Sequence, residues 1–160
     1  MCQTGGVNDS DRGQRWRQAM DQALAEAALA GKAGDVPVGA VILGPHGHTP
    51  VSRGRNRRQA RGDALAHAEV EALRAAGSWN LEACTLVVTL EPCPMCAGAA
   101  LASHVGRIVF GAWDPKLGAC GSVWDLPRDP HIGASPEVVG GIEEERCAAV
   151  LSGFFAKRRG

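Results

Sequence analysis

A histidine and a glutamate two positions apart, His67 and Glu69, are followed by a cysteine pair within Pro92-Cys93-Pro94-Met95-Cys96. Together they offer one imidazole, two thiolates and a carboxylate. Zinc in a structural site takes four protein ligands, whereas a catalytic site takes three and keeps one position for water. His67, Cys93 and Cys96 would fill three positions and cancel the dication's charge, leaving the fourth for a water whose pKa the metal lowers to about 7. Glu69 is then a carboxylate that need not bind metal and is free to move a proton, a role that contributes about 10²–10⁴ in rate.

The spacing supports this division of labour. If Pro94 opens a helix, where its missing N–H has no partner to lose, Cys93 and Cys96 come onto one face about a turn apart. The helix N-terminus lowers thiol pKa and so favours the thiolates a metal needs. His67 and Glu69 do not share a helical face. That suits a ligand at the entrance of a first turn and a carboxylate arriving from another direction. Taken alone, a Cys-x-x-Cys pair is equally a redox pair or half of a structural zinc site, and a His-x-Glu pair says little. Cys2, Cys84, Cys120 and Cys147 offer further thiols for a closed site, but none repeats the Cys-x-x-Cys spacing.

The elements that must position these residues follow from periodicity and turn chemistry. Residues 1–11 read as a flexible leader and 12–160 as one domain. Trp16, Met20, Ala23, Leu24, Ala27 and Ala28 recur at helical spacing, with a stop expected at Gly31. Residues 38–43 form an apolar strand, and 49–53 a weaker one that pairs back across a Gly/Pro turn. A helix is expected over 67–76, a buried strand over 85–90, a small-residue helix over 94–103 and a second buried strand over 107–112. This alternation predicts parallel neighbours. Residues 113–135 read as loop with a short helical turn near Trp124. A short strand over 137–139, a helix over 143–151 and a separate terminal turn over 154–159 complete the chain.

Composition narrows the class. A chain of 160 residues with 45% hydrophobic residues can bury a core without disulfides. Lys plus Arg and Asp plus Glu are each 17, so no bulk charge announces a nucleic-acid partner and any such contact must be local. The first ten residues lack the basic and apolar regions of a secretory signal, and no apolar run reaches membrane-spanning length. A cytoplasmic protein is expected, its six cysteines thiols or ligands rather than disulfides.

The His-x-Glu and Pro-Cys-x-x-Cys pair is the zinc-deaminase signature. The chain resembles the bacterial tRNA-specific adenosine deaminases of the cytidine/deoxycytidylate deaminase superfamily. The resemblance runs from Trp16 to Arg159 and is carried by Val36-Pro37-Val38-Gly39-Ala40-Val41, Asn56, Ala66-His67-Ala68-Glu69, Thr89-Leu90-Glu91-Pro92-Cys93-Pro94-Met95-Cys96-Ala97-Gly98-Ala99, Arg107-Ile108-Val109-Phe110-Gly111-Ala112 and Ser152-Gly153-Phe154-Phe155-Ala156-Lys157-Arg158-Arg159. It implies an α/β fold, a three-layer α/β/α cytidine-deaminase-like arrangement around a mixed, mostly five-stranded sheet. It also implies one Zn²⁺ per subunit and hydrolytic conversion of adenosine to inosine at the wobble position of a tRNA anticodon stem-loop, with Glu69 as the proton carrier. A homodimer with a composite anticodon site follows from the same resemblance.

Substrate contacts are carried over position by position. Asn56 is expected to read the purine edge, Val38 to wall the base pocket, Ala68 to offer its backbone N–H, Glu91 to place main-chain contacts to the leaving amino group and Asp114 to lie near the nucleotide. Asp114 also suits a turn cap, and Asn56 suits a turn. Phe154, Phe155, Arg158 and Arg159 form an aromatic-basic segment that suits stacking and phosphate contact, although the phenylalanines equally suit core or dimer packing. The chain departs from the family pattern at Ala64-Leu65, where Pro-Thr is common, and at Trp113, where many relatives carry Arg. Two other readings share the motifs: a free-nucleobase deaminase of the guanine type, and a catalytically silent, zinc-braced RNA-binding subunit. Glu69 argues against the second and the Phe-Phe-basic tail against the first.

Overall fold

The computed structural model describes residues 9–46, 48–133 and 135–159. Five strands follow the apolar runs: β1 Gly39–Leu43, β2 Pro50–Arg55, β3 Thr85–Leu90, β4 Arg107–Ala112 and β5 Glu137–Val139. They make one sheet in the order β2-β1-β3-β4-β5. β1 is antiparallel to β2 and β3, whereas β3, β4 and β5 run parallel. The helices are α1 Asp9–Lys32, α2 Arg58–Arg61, α3 Ala68–Ala75, α4 Pro94–Ala102 and α5 Glu144–Arg159.

Strand alternation divides the apolar side chains between two cores. Ala40, Ile42, Leu86, Val88, Ile108 and Phe110 pack with Ala68, Ala72, Ala97 and Ala100 of α3 and α4. Val41, Leu43, Val87 and Val109 pack with Trp16, Met20, Ala23 and Leu24 of α1 and Cys147 of α5. The result is the three-layer α/β/α arrangement around a mixed sheet that the resemblance implied. Each fully buried Ile, Leu, Val or Phe contributes about 1.5–3 kcal/mol.

Three boundaries differ from expectation. Of the expected leader, residues 1–8 lie outside the described residues and residues 9–11 begin α1, where the negative charge of Asp11 favours the positive helix N-terminus. The helix runs one residue past Gly31, and Gly34, at φ 91°, follows. At the other end, the expected helix and separate turn are one continuous α5 through Ser152 and Gly153. A mid-helix glycine costs about 1 kcal/mol but does not remove a backbone hydrogen bond.

Close approach rather than propensity sets how β2 meets α3. A Cβ on Gly54 would overlap the Ala68 carbonyl and lie 2.5 Å from the Ala72 nitrogen. The Ser52 hydroxyl donates to the Ala72 carbonyl at 2.8 Å, in the same contact. At the opposite edge, Glu137 of β5 accepts from Arg107 at 2.7 Å and Arg12 at 2.9 Å. The two guanidiniums lie 5.6 and 5.0 Å from the Trp16 ring, so the edge strand is clipped to α1.

Gly54→Ala should therefore destabilise the protein by about 1–3 kcal/mol through overpacking, measured by urea unfolding. Gly153→Ala, in open space on α5, should raise stability by up to about 1 kcal/mol. The Arg107 and Arg12 contacts hold the Glu137 carboxyl below its ordinary value of 4.5. That stabilisation is present above the ordinary value and is lost as pH falls through the depressed one. Glu137→Gln should accordingly lower stability at neutral pH, and the difference from the wild type should shrink as pH falls below the ordinary carboxylate value.

Candidate active site and metal centre

The parallel strands β3 and β4 point their carboxyl ends at one edge of the sheet, the edge where open α/β sheets bind ligands. β3 leads through Glu91-Pro92 to Cys93, the N-cap of α4, and Pro94 occupies the first turn as expected. His67 is the N-cap of α3, in an extended backbone conformation (φ −72°, ψ 153°). Its N–H donates to Leu65 at 2.8 Å and its carbonyl accepts from Glu71 at 3.0 Å. The two helix N-termini thus meet at one point.

There, His67 Nδ1 lies 3.7 Å from Cys93 Sγ and 3.4 Å from Cys96 Sγ. The three ligand atoms all lie within 4.8 Å of one another. Tetrahedral zinc with Zn–N near 2.0–2.1 Å and Zn–S near 2.3 Å separates nitrogen from sulfur by about 3.6 Å, so this donor set fits the ion. Hydrogen bonds from Cys96 and His67 push the Cys93 thiol down to about 4 despite its partial burial. Cys96, fully buried, is pushed up by its hydrogen bond to Cys93 and by desolvation. Its ionisation relies on a coordinated cation, which deprotonates a thiol outright.

Glu69, in the first turn of α3, is 4% exposed. Desolvation holds its carboxyl above the ordinary carboxylate value, opposed by hydrogen bonds from its own N–H and from Cys96. A carboxyl so raised, touching a ligand of the metal, suits proton transfer near neutral pH.

Beside these groups is a cavity of about 200 Å³. Its lining brings together Val38, Asn56, Ala68, Glu91 and Asp114 with His67, Glu69 and Cys93. Asn56 is held by its N–H on the Val38 carbonyl, by Nδ2 on the Val36 carbonyl at 3.1 Å, and by Oδ1 accepting from Arg58 at 3.1 Å. One amide N–H and one lone pair remain for a ligand. Asp114 caps its own turn through Lys116 and Leu117 N–H groups at 3.0 and 3.2 Å, the alternative role anticipated for it.

Arg158 lies outside that cavity and lines an adjoining groove, with its guanidinium 4.5 Å from the Phe154 ring. Phe155 and Arg159 are exposed on α5 and line neither space. Trp113, 44% exposed, sets its ring edge-on against the buried Phe110, ring centroids 4.8 Å apart, so the departure at this position covers one end of the core from outside. The Ala64-Leu65 departure is braced by Asp63, whose Oδ1 accepts from the Leu65 N–H at 2.9 Å.

Two buried carboxylates were not foreseen in these roles. Glu91 accepts from Asp114, Cys120 and Ser122 N–H groups at 3.0, 3.1 and 3.0 Å, and from the Ser122 hydroxyl, which ties the following loop across the cavity wall. Asp35, 1% exposed, accepts from Gln59 and Ala60 N–H groups at 2.6 and 3.2 Å and so anchors α2 beside Asn56. Nothing local in sequence marks Asp35 as buried, because its partners are more than twenty residues away.

Comparison with known proteins agrees with this site. The zinc-binding region of the cytidine and deoxycytidylate deaminases matches residues 14–112. The chain belongs to that deaminase family. It is 44% identical over 144 residues to the tRNA-specific adenosine deaminase of Bacillus subtilis (strain 168), which covers 88% of each protein. It is 51% identical over 145 residues to the tRNA(Ile)-lysidine synthase of Deinococcus deserti, spanning 27% of that longer protein. A solved structure from studies of A-to-I editing by tRNA:A34 deaminases at the wobble position of transfer RNA superposes with a TM-score of 0.78 at 37% identity, covering 83% of this chain and 98% of that one. The deaminase is therefore a zinc protein of this fold, and no helix among its described residues is long and apolar enough to cross a membrane.

His67→Ala and Cys96→Ala should each purify without zinc, whereas Cys147→Ala, equally buried but in the opposite core, should retain it, as read by atomic emission. Asp35→Ala leaves two N–H groups without their acceptor and should cost about 1–2 kcal/mol in urea unfolding.

Proposed function

We propose that this deaminase converts adenosine to inosine at the wobble position of a tRNA anticodon stem-loop. The observation that supports the reading is a cavity lined together by the Asn56 amide, the buried carboxyl of Glu69 and the ligand residues His67 and Cys93. Its size suits one extruded base rather than a stacked duplex. His67, Cys93 and Cys96 would hold the zinc. When bound, the ion supplies Lewis acidity that makes water a nucleophile at neutral pH. Val38 walls the purine, and the free N–H and lone pair of Asn56 read its edge. Glu69 takes one proton of the attacking water and passes it to ring N1, then takes the second from the new C6 hydroxyl and delivers it to the departing amino group. Water's oxygen ends on C6 and ammonia leaves. The Ala68 N–H and the Glu91 main chain orient the reacting centre.

Support for RNA comes from the terminal helix, where Arg158 is stacked on Phe154 at the cavity's flank and Phe155 and Arg159 are exposed. Exposed Leu117, Val123 and Trp124 on the loop beside the cavity support a homodimer completing the anticodon site. The thiols of Cys84, Cys120 and Cys147, which form no disulfide, accord with a reducing, cytoplasmic setting.

A stem-loop bearing adenosine at the wobble position should yield inosine, with free guanine and cytidine as unreactive controls. Glu69→Ala should keep its zinc and lose about 10²–10⁴ in rate. Wild-type turnover by a zinc-loaded Glu69→Ala protein would sink this assignment.

A further inference from the structure

We propose that the groove adjoining the base cavity is the subsite for the nucleotide next to the target adenosine, whose phosphate is held between Arg58 and Arg158. This rests on the RNA reading above. The groove has a volume of about 570 Å³ and is lined by Asp35, Asn56, Arg58, Asp63 and Arg158 among others. It shares Val36, Asn56 and Arg58 with the smaller cavity, so the two spaces meet along one rim. A base extruded into the smaller cavity leaves its sugar-phosphate backbone at that rim. The neighbouring nucleotide then lies where the groove opens.

The charges of the groove fit an anion. Arg12, Arg55, Arg61, Arg107, Arg128 and Arg146 are each paired with a carboxylate. Among the described residues, no such pair involves Arg58 or Arg158. The two carboxylates in the lining are engaged by backbone: Asp35 by Gln59 and Ala60, and Asp63 by Leu65. Asp35 is also turned into the protein, at 1% exposure. Arg158 is preorganised, one guanidinium nitrogen donating to the Gly34 carbonyl while the group lies over Phe154. Its remaining N–H groups form the planar fork that matches a phosphate.

The test uses stem-loops in which one phosphate beside the target adenosine is replaced by a neutral methylphosphonate, on the 5′ side in one RNA and the 3′ side in another. Zinc-loaded Glu69→Ala protein binds them without consuming them. With Arg58 and Arg158 present, one of the two neutral linkages should weaken binding about tenfold, the scale of a charge-assisted hydrogen bond. After Arg58→Ala or Arg158→Ala that penalty should fall to about twofold or less. Each substitution should also lower the salt slope of binding to unmodified RNA by about one. Arg58→Lys should recover the salt slope but only part of the linkage sensitivity. Equal penalties with and without the two arginines would overturn the groove assignment. If the Glu69-intact protein still forms inosine in unmodified RNA, only the groove falls; if it neither binds nor deaminates that RNA, both readings fall.

Discussion

Three donor atoms from residues 67, 93 and 96 must converge on a single point before any of this chemistry is possible, and no covalent link brings them there. The convergence is produced by two helix N-termini meeting at one edge of the sheet. α4 is placed by its short connection to β3, since Cys93 follows Leu90 by only three residues. α3 has no such short tether to a neighbouring strand. It is seated by the absence of a side chain at Gly54 and by the Ser52 hydroxyl on the Ala72 carbonyl. The metal site is therefore as much a product of strand β2 as of the ligands themselves.

The same geometry organises the electrostatics. Hydrogen bonds from Cys96 and His67, brought together by the two helix N-termini, favour thiolate at Cys93. Burial works the other way at Glu69, raising its carboxyl, so that neighbouring acids in one small site have opposite tendencies. A site that must hold a cation and also move a proton needs this separation. Around it, buried carboxylates serve as backbone anchors. Glu91 organises the loop on one side of the cavity and Asp35 organises α2 on the other. Both walls are thus fixed by acids that do not face the cavity as free charges, which leaves the guanidiniums of Arg58 and Arg158 to set the potential of the adjoining groove.

Much of this architecture was readable from the chain. Apolar runs bounded by turn residues located β1, β3 and β4, and Pro94 marked the start of α4. The helix interruption expected at Ser152-Gly153 does not occur, because propensity is a weak local term beside a continuous hydrogen-bond ladder. The first turn of α1 falls within the expected leader because its polar composition resembles a frayed end as closely as it resembles a charged helix start. Asp35 and Glu91 carry no local signal for their anchoring roles, since the N–H groups they accept from lie 23 to 31 residues away.

By itself, the sequence determined the chemical inventory. An imidazole, two thiolates and a spare carboxylate at those spacings specify a metal and a proton carrier, because ligand type and charge are properties of side chains alone. Which space they face was decided only by tertiary structure. The antiparallel pairing of β1 with β2 and β3 places Val38 and Asn56 opposite the carboxyl ends of β3 and β4. The packing of α5 then brings Arg158 to the groove that adjoins the cavity. Those contacts join residues from both ends of the chain, and only a folded sheet can hold them at hydrogen-bond distance.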